Sequence, residues 1–248
     1  MNHAVTAPAV PFRAVYFDCD STLTTIEGVD ELLADYAPAV RAEIAAWTEA
    51  AMNGERPLAE VYELRLRKLA PRRDQLAAVG RLYATRAVPD AARTLAALRW
   101  LGKVVGIVSG GLLEPVRAFA QVLQLDLAHV HAVPLQFDAD GAYLDFDHRC
   151  PLWRNGGKVE LLRGLPAEHR PLAFVGDGIT DLETQGTADR FVGFGGVVRR
   201  AAVAARADCF VDAPGLAAVL PFLLTTAERA RLAAEPRFAD LLPPSQKP

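Results

Sequence analysis

Residues 14–22 read AVYFDCDST, an apolar run of four residues followed directly by aspartates two positions apart. A short apolar run bounded by polar residues is typical of a strand buried on both faces of a parallel sheet. Such a strand would end at Asp18, and the turn after it would bring Asp18 and Asp20 into one small space. We therefore expect the fold and the chemistry to be organised around this stretch.

Two further apolar runs, residues 104–108 (VVGIV) and 172–175 (LAFV), predict strands of the same kind. Helical patterns lie between the runs, and strands alternating with helices predict an α/β fold with a doubly wound, Rossmann-like parallel sheet. Ligands of such sheets bind beyond the carboxyl ends of the strands. The predicted strand ends carry Asp18, Ser109 and Asp177.

Residues 28–88 interrupt the alternation with amphipathic helical patterns and contain no strand-like run. We predict that they form a small helical cap inserted after the first strand, over the strand ends. Alternating apolar positions in residues 130–147 predict a hairpin lying against the sheet. The other predicted divisions are a catalytic core of residues 13–27 and 89–225, and a terminal arm and tail of residues 1–12 and 226–248.

Composition excludes several classes of function. The chain has 248 residues, 51% hydrophobic and 23% charged, with a formal net charge of −3, so we expect neither a nucleic-acid partner nor a membrane partner. Its three cysteines form no CxxC pair, which argues against zinc and a disulfide framework and favours a reducing cytoplasm. Residues 4–10 are too short for a signal peptide or a membrane span. Whether the protein is a monomer or a homodimer stays open.

The pair Asp18 and Asp20 is the strongest chemical signal. One carboxylate could attack phosphorus while the other, kept protonated by its charged neighbours, supplies a proton to the leaving oxygen. Attack on an anionic phosphate requires positive charge nearby, which points to a hard cation with oxygen ligands such as Mg²⁺. An ordinary Asx turn or a helix cap would place the same residue types here.

Three weaker signals fall at the other predicted strand ends and helix starts. Residues 109–111 (SGG) could cradle a phosphate with a hydroxyl and backbone N–H groups, although the same residues are common in loops. Lys158 could hold a phosphate oxygen, although a lone lysine is commonly a solvated surface residue. Asp177 and Asp181 could complete a cation shell, Asp177 directly and Asp181 through water.

The order of these signals along the chain is nucleophile, hydroxyl, lysine and metal-binding acids. In this order the sequence resembles the haloacid dehalogenase (HAD) superfamily, and within it the phosphoserine phosphatase family, over about residues 13–223. The resemblance is carried by residues 18–22 (DCDST), 27–32 (EGVDEL), 51–54 (AMNG), 57–66 (PLAEVYELRL), 107–111 (IVSGG), 156–159 (GGKV), 176–181 (GDGITD) and 193–196 (GFGG).

The resemblance implies hydrolysis of O-phospho-L-serine to L-serine through an aspartyl-phosphate intermediate. Asp18 would be the nucleophile and Asp20 the general acid and then base, with Mg²⁺ on the carboxylates of Asp18 and Asp177 and the main-chain carbonyl of Asp20. Asp181 would support this shell. The implied substrate contacts are Glu27 to the ammonium, Arg65 to the carboxylate, Ser109, Gly110, Gly111 and Lys158 to the phosphate, and further contacts from Met52, Thr180 and Arg200.

Other functions remain as alternatives. The nearest is the same chemistry on a different small phosphomonoester, or transfer of the phosphate to an alcohol. A non-catalytic module that senses a phosphorylated ligand would have lost Asp18, Asp20 or Asp177, and all three are present. A dinucleotide-binding domain would carry a glycine-rich loop after its first strand, where this chain carries acids.

Overall fold

The structure is a computed structural model that describes residues 7–34, 36–52 and 55–242, without the side chains of residues 49, 51 and 52. A six-stranded parallel sheet lies at its centre, and the predicted α/β class is confirmed. The strands are β1 (Ala14–Phe17), β2 (Val104–Leu112), β3 (Val130–Val133), β4 (Leu135–Phe137), β5 (Tyr143–Phe146), β6 (Leu172–Gly176), β7 (Arg190–Phe194) and β8 (Cys209–Val211).

The sheet has the strand order β3-β2-β1-β6-β7-β8. The chain thus winds outward from β1 in both directions, and all four residues of β1 are buried. Phe17, the last residue of β1, stands opposite Ile107 of β2 and Val175 of β6. The carboxyl ends of these three strands therefore meet at the point where the winding direction changes, which is where doubly wound sheets bind ligands.

The hairpin and the second strand differ in part from their predictions. Strands β4 and β5 form the expected antiparallel hairpin, but the start of residues 130–147 forms β3, the edge strand of the main sheet. Strand β2 continues to Leu112, so residues 109–111 belong to the strand and the next helix begins only at Leu113. Strand β2 pairs with β3 at Ile107 and Val108 and again at Leu112, and the register shifts between these positions.

Residues 28–88 are helical, as the sequence predicts, and the helix α4 (Arg73–Thr85) packs directly on the core helix α6 (Leu113–Val122). It buries Leu76, Val79, Gly80 and Tyr83 on one face, and a Cβ at Gly80 would lie 2.9 Å from the Cβ of Ala118. The domain boundary at residue 88 stays a prediction. The helices are α1 (Gly28–Glu31), α2 (Pro38–Met52), α3 (Leu58–Leu69), α4, α5 (Ala91–Trp100), α6 (Leu113–Val122), α7 (Gly157–Gly164), α8 (Ile179–Leu182), α9 (Ala201–Arg206), α10 (Leu220–Leu223) and α11 (Thr226–Ala234).

None of these helices, within the residues that the structure describes, has both the length and the apolar composition needed to cross a bilayer.

The predicted tail of residues 226–248 begins with a folded segment, residues 226–242, that packs against the core. Helix α11 begins in a capping box, in which the Thr225 hydroxyl accepts from the Glu228 N–H and the Glu228 carboxylate accepts from the Thr225 N–H. Leu232 and Leu241 are buried, and so is Phe12 from the predicted arm. The many charged residues of this segment mask its apolar spacing. Residues 1–6 and 243–248 lie outside the described residues.

A buried ion pair attaches α11 to the sheet. The Nζ of Lys103 lies 2.5 Å from Oε1 of Glu228 and donates to the carbonyl of Phe12 at 2.8 Å. Removing one member leaves an uncompensated buried charge. We expect Glu228→Gln to lower the free energy of unfolding by about 3 kcal/mol, measured by urea denaturation.

The matched control is Glu160→Gln, which breaks an exposed pair with Arg154 and should change stability little. The double variant Lys103→Met with Glu228→Leu should recover most of the loss, because it removes both charges. A double variant no more stable than Glu228→Gln would contradict this account.

Candidate active site

A cavity of about 440 Å³ lies at the carboxyl ends of β1, β2 and β6. Nearly all the site residues predicted from the sequence line it. Asp181 lies beside it in contact with Lys158, and the side chain of Met52 is outside the described residues. The predicted residues that line the cavity are Asp18, Asp20, Glu27, Arg65, Ser109, Gly110, Gly111, Lys158, Asp177, Thr180 and Arg200.

The turn after β1 orients Asp18. Its Oδ1 accepts a hydrogen bond from the N–H of Cys19 at 2.8 Å and lies 3.0 Å from Nζ of Lys158. Cys19 is fully buried, so its small side chain fills the core beneath the turn. Ser21 adopts φ of 53°, a left-handed conformation that turns the chain back over the strand end. Both of these contacts fall on Oδ1.

Lys158 joins two carboxylates at the floor of the site. It lies in the first turn of α7, as the sequence predicts, and its Nζ contacts both Asp18 and Asp181. Burial alone would lower the pKa of Lys158, but the charges of Asp18 and Asp181 raise it above its ordinary value. The ammonium therefore keeps its charge at neutral pH. Asp181 is held in turn by the N–H of Gly178 at 2.8 Å.

Asp18, Asp177 and Asp181 form an acidic cluster, with one carboxylate oxygen of each within 4.8 Å of the others. Burial, followed by the charge of Asp18, raises the pKa of Asp177 and that of Asp181 to about 7. Thr22 donates to Oδ1 of Asp177 at 3.0 Å, and Arg200 lies 3.1 Å from Oδ2. This donor set of crowded, buried carboxylates fits a hard divalent cation.

Asp20 is held by two donors that the sequence did not predict. Its Oδ1 accepts from the N–H of Gly28 at 3.2 Å and from the hydroxyl of Tyr83 at 2.5 Å. Burial, then the charge of Glu27, raises the pKa of Asp20 well above its ordinary value. Burial also raises the pKa of Tyr83, so its hydroxyl remains a donor. In the sequence Tyr83 fits the apolar face of α4 and cannot be told from a core residue.

Glu27 and Arg65 stand on the cap side of the cavity. Glu27 occupies the N-cap position of α1, but its side chain makes no capping bond and accepts instead from the Ser21 hydroxyl at 2.6 Å. Burial, followed by the charge of Asp18, raises the pKa of Glu27, so a cation would stabilise this carboxylate. Arg65 pairs with Asp30 at 2.9 Å, while its buried Nε has no hydrogen-bond partner among the described residues.

Two aromatic residues at the site were also missed. Tyr62 of α3 donates its hydroxyl to the carbonyl of Gly110 at 3.1 Å, which joins α3 to β2. Trp153 lines the cavity and packs edge-on against Phe146 at 5.2 Å between ring centroids. A single tyrosine or tryptophan in a helical pattern carries no signal of such a role, because the contact depends on a segment distant in sequence.

Known proteins resemble this chain over most of its length. A family profile described as haloacid dehalogenase-like hydrolase matches residues 12–185, more than half of the chain. The chain belongs to the haloacid dehalogenase-like hydrolases. This hydrolase is 33% identical over 200 residues to phosphoserine phosphatase of Mus musculus, covering 80% of this chain and 88% of that one. It is 34% identical over 220 residues to phosphoserine phosphatase of Drosophila melanogaster, and the match covers 84% of this chain and 81% of that one.

The fold has a close counterpart among solved structures. A phosphoserine phosphohydrolase-like protein from Francisella tularensis superposes on the hydrolase with a TM-score of 0.75, at 21% identity, over 86% of this chain and 100% of the other. At that identity the likeness supports the fold alone. The relatives confirm the predicted resemblance to the phosphoserine phosphatase family.

Proposed function

We propose that this hydrolase converts O-phospho-L-serine and water to L-serine and phosphate through a covalent intermediate on Asp18. One observation carries the proposal: the cavity has a reactive carboxylate beside a lysine at its floor, and a carboxylate and a guanidinium on its cap side. Phosphoserine presents a phosphate, an ammonium and a carboxylate, which match these groups in charge. Relatives at 33% and 34% identity are phosphoserine phosphatases.

The first step forms the phospho-enzyme. Lys158 and the Cys19 N–H hold Oδ1 of Asp18, so Oδ2 attacks phosphorus. The bond from phosphorus to the serine oxygen breaks, and Asp20 gives its proton to that oxygen. Lys158 offers its positive charge to the phosphate oxygens throughout.

The second step reverses the role of Asp20. The carboxylate takes a proton from a water molecule, whose oxygen attacks the phosphorus of phospho-Asp18. The bond from phosphorus to Asp18 breaks, which releases inorganic phosphate and restores the carboxylate. Asp20 ends the cycle protonated, as it began. Each cycle therefore consumes one water molecule and leaves the protonation of the enzyme unchanged.

We propose Mg²⁺ as the cation of the acidic cluster. Asp18 and Asp177 would hold it through their carboxylates and Asp20 through its main-chain carbonyl, while Asp181 keeps Lys158 in place. When bound, the ion would supply positive charge that offsets the repulsion between the phosphate and Asp18. The crowded oxygens and raised pKa values of Asp177 and Asp181 support this assignment.

The test of the function is phosphate release from L-phosphoserine, with and without Mg²⁺, beside a panel of small phosphomonoesters. Release that prefers phosphoserine supports the proposal. Release from other esters but not from phosphoserine would support the alternative of another small phosphomonoester. Formation of a phosphorylated alcohol in the presence of added glycerol would indicate a phosphotransferase.

The roles of Arg65 and Glu27 can be separated with matched substrates. We expect Arg65→Met to lower kcat/KM for phosphoserine by about 10²- to 10³-fold, because a desolvated charge pair with the carboxylate is lost. Phosphoethanolamine lacks that carboxylate, so its kcat/KM should change little. Glu27→Gln should likewise lower kcat/KM for phosphoserine. It should leave kcat/KM for 3-phosphoglycerate unchanged, because that ester has a hydroxyl where phosphoserine has its ammonium.

Arg67→Met is the control for Arg65, since Arg67 lies on the same helix and pairs with Glu63 at the surface. This variant should keep the activity of the wild type on all three esters. Equal losses on phosphoserine and phosphoethanolamine in Arg65→Met would contradict a carboxylate-binding role for Arg65.

We further propose that the enzyme acts in the cytoplasm in serine biosynthesis, as a monomer or a homodimer. Cys19, Cys150 and Cys209 are all free thiols, which fits a reducing compartment.

A further inference from the structure

Tyr83 reaches the catalytic turn from a distant segment. It lies 63 residues after Asp20 in the chain, yet its hydroxyl donates to Oδ1 of Asp20 at 2.5 Å. Its side chain is fully buried, and its ring packs against Phe119 of α6 at 5.8 Å between centroids. The ring is therefore fixed on both sides, by its own helix and by α6, which gives the hydroxyl a defined position.

Gly28 provides the space for this hydroxyl. A Cβ built on Gly28 would lie 2.0 Å from the Tyr83 oxygen, far inside van der Waals contact. The N–H of Gly28 donates to the same Oδ1 of Asp20 at 3.2 Å. Two donors from opposite ends of the helical segment thus converge on one carboxylate oxygen, and the absence of a side chain at Gly28 makes the convergence possible.

The convergence distinguishes the two oxygens of Asp20. A carboxyl oxygen that already accepts two hydrogen bonds is a poor place for the proton of the acid, because the proton would face two donors. The other oxygen, Oδ2, lies on the side of the cavity-lining Gly111, where a Cβ would come within 2.9 Å of it. Oδ2 is thus the oxygen that faces the Ser109–Gly111 side of the cavity.

We propose that Tyr83 is a positioning residue for the general acid, which keeps the transferable proton of Asp20 on Oδ2 by donating its own hydroxyl proton to Oδ1. Tyr83 is not among the residues that line the cavity, so it acts only through Asp20. The inference rests on the proposed function, in which Asp20 protonates the leaving serine oxygen.

The test compares leaving groups in Tyr83→Phe, which removes the hydroxyl and keeps the ring. In single-turnover experiments with enzyme in excess, release of serine from phosphoserine should slow by about 10- to 100-fold, the effect of one hydrogen bond to a charged group. Release of p-nitrophenolate from p-nitrophenyl phosphate should stay within about threefold, because that group leaves without a proton. The KM for phosphoserine should not change.

Tyr36→Phe is the matched control, since Tyr36 also donates its hydroxyl from the helical segment in a partly buried contact, to the backbone carbonyl of Leu69, and does not contact Asp20. It should leave both rates unchanged. Gly28→Ala should resemble Tyr83→Phe, and its effect should shrink in the Tyr83→Phe background, where the displaced hydroxyl is already gone.

The outcomes separate the two claims. If Asp20→Asn leaves serine release unchanged, the acid role of Asp20 in the proposed function fails, and the role of Tyr83 fails with it. If Asp20→Asn impairs serine release but Tyr83→Phe does not, only the role of Tyr83 is overturned. Equal slowing of both leaving groups in Tyr83→Phe, with or without a lowered Tm, would also overturn it, because that pattern marks a purely structural residue.

Discussion

Replacing Asp18 with asparagine is expected to lower phosphate release from phosphoserine by at least about four orders of magnitude, since the proposed nucleophile is lost. The neutral amide keeps the size of the side chain but is not a nucleophile toward phosphorus. Acid-quenched wild-type enzyme, incubated with labelled substrate, should carry phosphate on residue 18 in peptide mass spectrometry. Asp18→Asn should carry none.

The fold should survive this change, which makes the result specific. Asp18 belongs to a cluster in which its charge raises the pKa values of Asp177 and Asp181, so its removal relieves repulsion. Lys158 keeps its contact with Asp181. We therefore expect an unchanged or higher Tm for the metal-free variant. Turnover within tenfold of wild type would exclude the covalent route, whatever the Tm.

Removal of divalent cations is the second large effect. Chelation with EDTA should lower phosphate release by about 10³-fold, because several kcal/mol of charge stabilisation in the transition state are lost. Added Mg²⁺ should restore it. Asp177→Asn should require much more Mg²⁺ for the same rate, whereas Asp212→Asn, at an exposed aspartate paired with Arg199, should behave as wild type. Full activity after exhaustive chelation would contradict a metal role for this cluster.

The same cluster predicts a pH dependence of metal-induced stability. The pKa values of Asp177 and Asp181 are raised from 3.8 to about 7, so between these limits the folded protein keeps protons that the unfolded chain releases. The free energy of unfolding of the metal-free protein therefore falls as pH rises toward 7. Mg²⁺ binds the deprotonated carboxylates. Added Mg²⁺ should thus raise the Tm of the protein more at pH 8 than at pH 6. An equal rise in Tm at both pH values would argue against this site.

Part of the floor of the cavity could be predicted because Asp18, Ser109 and Asp177 each follow a short apolar run. The run at residues 14–17 forms β1 with the predicted bounds, and Asp177 follows β6 directly. Parallel strands bring their carboxyl ends to one edge, so residues far apart in sequence meet without any knowledge of side-chain packing. The roles assigned to these residues remain predictions that the variants above test.

Other features were missed because their signals are shared by ordinary core and surface residues. Tyr83 lies on the buried face of α4, where an aromatic residue is expected for packing alone. The spacing of Thr225 and Glu228 is a capping-box signal, yet the acidic and basic residues around it favoured the interpretation of a tail. The partner of Glu228 is Lys103, 125 residues away, and no local pattern indicates that pair.

By itself the sequence determined the doubly wound sheet, the strand ends that carry the acids, and most of the residues that line the cavity. These follow from local apolar runs and from the single way in which parallel strands align. Only the tertiary structure decided which donor holds each carboxylate oxygen: Lys158 and the Cys19 N–H on Asp18, and Tyr83 and the Gly28 N–H on Asp20. The reason is that a hydrogen bond requires placement to within a few tenths of an ångström, and this placement is set by helix packing across the whole chain.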